Sequence, residues 1–135
     1  MLLGRGDADS PWPGIQARYA QTQGRSRSDQ YVVNVVKACE SMGIALAARH
    51  KEREALPFFD QAIEALAPGY PSNPSLAVLR ARKAGALAAL HDIDAARVQL
   101  ALAEAALAAE PLAGPQFRRP VLAARKELAQ AMKKV

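Results

Sequence analysis

The sequence holds a single cysteine, Cys39, so no disulfide can form within the chain. A lone thiol fits a reducing compartment, and the cytoplasm is the expected location. Aromatic residues are only 5% of the chain, and residues 31–36 are the one stretch rich in β-branched side chains, so a sheet has little to form from. No apolar run approaches the roughly 20 residues that a membrane span needs. The start, Met1-Leu2-Leu3-Gly4-Arg5-Gly6-Asp7, lacks the apolar core of a signal peptide. Also missing are a Gly-rich phosphate loop, a Walker pattern and the Ser, His and Asp spacing of a hydrolase.

What remains is helix-forming material. Half of the 135 residues are apolar, many of them Ala. Ala favours helix and lets helices approach closely, but it buries little area per residue. The length suits one all-α domain with a modest core. The net charge of +5 is unevenly placed. Beyond Pro115, Arg118, Arg119, Arg125, Lys126, Lys133 and Lys134 stand against Glu127 alone, while the charges before it balance at twelve of each sign. Whatever the basicity does belongs to the C-terminal end.

Residues 54–68 set the organisation. Spacings of four and three place Ala55, Phe59 and Ala62 on one helix face, two small residues around one aromatic, and Pro68 closes the segment. The same marks return 41 positions later as Ala96, Leu100 and Ala103. Pro74 and Pro115 share that offset, as do Leu46, Leu87 and Leu128. A period in this range is the signature of a helical repeat array.

The pattern predicts five helices. The first covers 29–49, capped by Ser28 or Asp29, with Val32, Val35, Val36, Cys39, Met42 and Leu46 facing inward. Gly43 inside it costs up to about 1 kcal/mol relative to Ala, so a partner helix is expected to pass close by. The second covers 52–66, starting at or bending around Pro57. Asn73 caps the third, which opens on Pro74 and runs to 90. Asp92 or Asp94 caps the fourth, which ends near 109, and the fifth covers 119 or 120 to 132. In domain terms, 1–28 is an N-terminal extension with a loose start at 1–10. A short helix at 15–23 is expected within it, packing Ile15, Tyr19 and Trp12. Residues 29–68 and 74–111 are two hairpins, and 115–135 is a basic capping helix.

This arrangement resembles the tetratricopeptide repeat, in which two antiparallel helices, A and B, cross at small residues. The resemblance covers about residues 29–111 as two repeats and 120–132 as a solvating end helix. Gly43, Leu46, Ala55, Phe59, Ala62 and Pro68 match the signature in the first repeat. Ala84, Leu87, Ala96, Leu100, Ala103 and Pro111 match it in the second, Pro111 a turn late. The usual repeat is 34 residues. A spacing of 41 with Pro-rich links looks like the longer variant found in kinesin light chains and many bacterial signalling proteins. Cys39 and Arg80 stand where the family usually has a large aromatic, and Lys83 falls on an apolar position. The stems of Arg80 and Lys83 are expected to lie along the interface with the charges reaching out.

The resemblance implies an α-α superhelix whose A helices line a concave surface that holds a protein or peptide. Carrying the family's groove positions over gives Lys37, Glu40, Ile44, Ala47 and Ala48 in the first repeat. In the second they are Val78, Ala81, Gly85, Ala88 and Ala89, a small and apolar set that leaves room for bulky anchors on a partner segment. The alternative is that this second surface packs on the chain's own fifth helix or on another copy. Two repeats are fewer than the three usually needed for stability, which points to a dimer or a larger parent protein.

Chemistry is scarce. Cys39 and His50 lie eleven residues apart on one helix, hence roughly 16 Å, far beyond hydrogen-bond reach. His50 and His91 sit at matching ends of the A helices, where a cation favours the helix dipole. Asp92 and Asp94 read as caps, and Arg5-Gly6-Asp7 matches an adhesion signal that has no place in a cytoplasmic chain. No catalytic residue, metal site or cofactor is expected. The expected function is a non-enzymatic scaffold or adaptor for a protein or peptide, within a signalling protein. A self-associating helical domain is the first alternative. Binding of nucleic acid or an anionic membrane through the basic C-terminus is the second.

Overall fold

The computed structural model describes residues 29–134. Among them are five α-helices and no strand: α1 Asp29–Ala48, α2 Glu52–Leu66, α3 Ser75–Ala89, α4 Ile93–Ala108 and α5 Pro115–Lys133. The all-α class and the boundaries of the first four helices agree with the sequence pattern to within a residue or two. The chain divides into two compact units between Ala65 and Leu66. The short helix expected at 15–23, the loose start, Arg5-Gly6-Asp7 and the Ser28 cap lie outside the described residues.

In the first unit α1 buries Val32, Val35, Ala38, Cys39, Met42, Gly43 and Leu46. These lie at helical spacing along one side. Val36, expected inward, is half-buried, and Ala38 is fully buried in its stead. By length and mean hydropathy α1 also meets the requirement for a membrane span, which the sequence pattern had not suggested. Its seven buried residues, and Lys37 and Glu40 on its outer side, are what a core helix of a folded domain carries.

α2 buries Ala55, Phe59 and Ala62 at 0–1% exposure. Phe59 explains Gly43. A Cβ at position 43 would lie 2.7 Å from Phe59 Cζ and 2.8 Å from Cδ1, inside the van der Waals distance. The ring therefore fills the space a side chain would need, and the missing methyl is what lets the helices cross. Cys39 Sγ donates to Gln61 Oε1 of α2 at 3.5 Å. Pro57 stays inside α2 at an exposed position, where it removes one ladder bond without ending the helix.

The two hairpin turns have one geometry. After α1, the Lys51 N–H donates to the Leu46 carbonyl (2.9 Å) and the His50 N–H to that of Ala47 (3.0 Å). After α3, the Asp92 N–H donates to Leu87 (2.9 Å) and the His91 N–H to Ala88 (2.9 Å). His50 has φ 62° and His91 has φ 61°. This is the left-handed helix stop that glycine usually occupies, built twice with histidine. Every partner in the second turn stands 41 residues after its counterpart in the first.

In the second unit Asn73 caps α3 as expected: its Oδ1 accepts the Ser75 N–H at 2.8 Å across Pro74. α3 is buried on nearly all sides, from Leu76, Ala77 and Val78 to Ala86, Leu87 and Ala88. It packs against both α4 and α5, and α4 packs against α5. α4 buries Ala96, Leu100, Ala103 and Leu107, the spacing of Ala55, Phe59, Ala62 and Leu66 repeated.

Two boundaries differ from expectation. Asp92 occupies the N-cap of α4, but its carboxylate makes no capping bond; its carbonyl accepts the Ala96 N–H at 3.0 Å. Asp94 lies in the first turn of α4, where its charge meets the positive end of the helix dipole. α5 starts at Pro115, not at 119 or 120. Gly114 is the extended N-cap residue, Pro115 takes the first position, where an N–H has no partner, and Pro120 is carried inside the helix.

Candidate functional site

The residues expected to form a groove fall into two groups with different surroundings. In the first unit, Lys37 and Ala48 are exposed, Ile44 is 39% exposed, and Glu40 and Ala47 are half-buried. At 100° per residue these five occupy one face of α1, opposite Val35, Cys39 and Met42. Val33, 44% exposed, belongs to the same face, one turn before Lys37. The groove positions carried over from the family begin at Lys37 and stop short of it. Its spacing to Lys37 and Ile44, four and eleven residues, was the available signal.

In the second unit, Val78, Ala81 and Ala88 are buried at 8%, 1% and 1% exposure. Ala89 is exposed and Gly85 is half-buried. The expected open wall on α3 is therefore not present. At Gly85 the space for a side chain is taken by the Glu127 carboxylate of α5. Burial raises the Glu127 carboxyl above its ordinary range, and the Arg82 guanidinium pulls it part of the way back. Small apolar residues leave room for a neighbour, and here α5 supplies one.

The signature positions sit where the helices cross. Gly43, Leu46, Ala55, Phe59, Ala62, Ala84, Leu87, Ala96, Leu100 and Ala103 are all buried, whereas Pro68 and Pro111 are exposed in the links. Arg80 and Lys83 are half-buried.

No reactive pair forms from the candidates. Cys39 is fully buried, and burial pushes its thiol up to about 12, so it stays protonated. The His50 side chain is 92% exposed, with Nδ1 3.9 Å from Glu52 Oε2, a weak surface pair. Among the described residues no three His, Cys, Asp or Glu side chains gather where they could hold a metal ion.

The basic C-terminal end is partly consumed by the fold. Arg118 Nε donates to the Ala113 carbonyl at 2.8 Å, and its Nη2 to the carbonyls of Glu110 and Pro111 at 3.1 Å each. One guanidinium thus holds the α4–α5 link, a role no spacing rule would flag, because the donor reaches back over up to eight residues. Arg125 pairs with Glu104 of α4, and Arg97 Nη2 lies 3.7 Å from Met132 Sδ. Between α4 and α5 runs an open groove of about 340 Å³, with Leu107 and Val121 among its apolar lining and Glu104, Arg118 and Arg125 among its polar one.

No protein-family model matches the chain, and neither a curated protein nor a solved structure matches it.

Proposed function

We propose that this chain is a non-enzymatic, tetratricopeptide-like scaffold that holds a protein or peptide segment, as a regulatory module within a signalling protein of the cytoplasm. The observation that carries the reading is the outer face of α1, where Val33 and Ile44 are exposed beside Lys37 and Glu40. Exposed aliphatic residues three turns apart, with charges of both signs beside them, suit a helix or strand laid along α1. The 41-residue return of the small crossing residues and of the His50 and His91 turns supports the family likeness. The engagement of Arg118 and Arg125 inside the fold weakens the nucleic-acid and membrane alternative.

Affinity purification followed by mass spectrometry tests the proposal, using the whole chain, Val33→Glu and Ile44→Glu. A partner recovered with the unmodified chain and lost with both variants is the expected result. Equal recovery with all three would remove this face from the account. A second copy could cover the same two side chains. Sedimentation showing a dimer that Ile44→Glu dissolves would favour the self-associating alternative.

A further inference from the structure

We propose that the groove between α4 and α5 is a second docking site, and that its occupant is an acidic amphipathic helix. Such a helix carries bulky apolar anchors on one side, with Asp or Glu beside them. The idea shares the reading of the chain as a binding module, but it uses another face in the other unit.

The floor of the groove is apolar and closed, with Leu107 at 5% and Val121 at 4% exposure. Its lip on α5 is apolar and open: Leu122 is 56% exposed. A closed apolar floor that opens onto a large exposed aliphatic side chain marks a candidate interaction site.

The charge beside the lip selects the partner. Arg119, Lys126 and Lys133 are exposed and follow one another at steps of seven. Seven residues are nearly two turns, so the three cations form one line, about 21 Å long, next to Leu122. None of the three is in an ion pair among the described residues. Glu104 is paired with Arg125, and Glu127 lies against Gly85 on the opposite flank of α5, so neither neutralises this line. An apolar groove with an uncompensated basic edge is complementary to an acidic partner with apolar anchors. Phe117 is the only aromatic on α5, too little for base stacking, which argues against single-stranded nucleic acid.

The repeat offset limits how the partner lies. Gly43 and Ala84 occupy the small crossing position of α1 and α3, and the residue at that offset on α5 is Arg125. With a guanidinium tied to Glu104 at this point, a helix cannot nest as deeply as α2 does on Gly43. The occupant rests on the lip and reaches the floor with its anchors.

The test uses a fluorescein-labelled synthetic helix of about 14 residues, about 21 Å long, with Leu at helical spacing on one side and Glu flanking it. A control peptide carries Lys in place of every Glu. Anisotropy titrations are run with the unmodified chain, Leu122→Glu and Lys126→Glu, both surface changes whose folding is checked by circular dichroism. The acidic peptide is expected to bind, to weaken about tenfold or more with either variant and to weaken as salt rises. The Lys control is expected not to bind. Failure of the acidic peptide to bind would overturn the proposal, as would binding insensitive to both variants. So would binding of equimolar phosphatidylcholine–phosphatidylserine vesicles, or a dimer dissolved by Leu122→Glu, in place of peptide binding. Retention of an α1-dependent partner would then leave the proposed function standing. Peptide binding that survives Val33→Glu and Ile44→Glu would separate the two faces.

Discussion

The hairpin α1–α2 and the hairpin α3–α4 turn on the same backbone hydrogen bonds but fill their crossing differently. In the first, Gly43 lies under the Phe59 ring. At the same positions 41 residues on, the pair is Ala84 and Leu100, both buried. One helix gives up a methyl where its partner carries a ring, and the other keeps the methyl where its partner carries the smaller Leu. What repeats is the combined bulk at the crossing, not the identity of either side chain, as close packing requires. The A helices differ as well. α1 buries one side and leaves Val33, Lys37 and Ile44 outside, while α3 is buried almost all round.

The largest effect expected from breaking this comparison is at the ring. Phe59→Ala should cost about 3–5 kcal/mol and Leu100→Ala about 2–4 kcal/mol in urea unfolding, because each leaves a cavity at a crossing. A negligible loss at either site would mean that the hairpins are not held together there.

A smaller and more symmetrical effect is expected at the turns. His50→Gly and His91→Gly should each raise stability by about 0.5–1 kcal/mol, since glycine adopts φ near +60° without the Cβ penalty. Similar gains at both sites would show that the two turns are energetically alike. A gain at only one would show that tertiary context treats them differently.

A further effect, confined to alkaline pH, separates the hairpins by titration. Burial moves the Cys39 thiol from 9.0 to about 12, so between those values the folded chain keeps a proton that the unfolded chain has lost. Its contribution to stability is therefore complete below about pH 9 and is lost as pH rises towards 12. The second hairpin has Arg80 at the matching position and no thiol. The urea midpoint should fall less steeply above pH 9 in Cys39→Ala than in the unmodified chain. Parallel pH profiles would contradict this.

Much of the fold could be read from the sequence because Ala, Gly and Pro act locally. The 3–4 spacing of Ala55, Phe59 and Ala62, the Asn73-Pro74 start and the offset of 41 all describe single helices or their ends. The start of α5 is not legible, because Pro115 at a first helical position looks the same in sequence as Pro115 in a linker. Pro120, inside the helix, has the sequence appearance of a helix start. The candidate site was less legible. Val78, Ala81, Gly85 and Ala88 are small and apolar, and a wall awaiting a ligand has the same composition as a crossing already filled by α5. The left-handed φ of His50 and His91 is a backbone property their side chains only permit. The reach of Arg118 to three carbonyls depends on how the α4–α5 link folds back.

The central claim, that a crossing conserves its bulk, is tested most directly by a double-mutant cycle at Gly43 and Phe59. In an open helix interior, Gly→Ala stabilises by roughly 0.5–1 kcal/mol. Here Gly43→Ala should instead destabilise the unmodified chain by about 1–3 kcal/mol, through overpacking against the ring. In the Phe59→Leu background, which copies the second hairpin, the same change should become neutral or stabilising, giving a coupling of at least about 1 kcal/mol. Additive effects, or a Gly43→Ala gain in both backgrounds, would contradict the account.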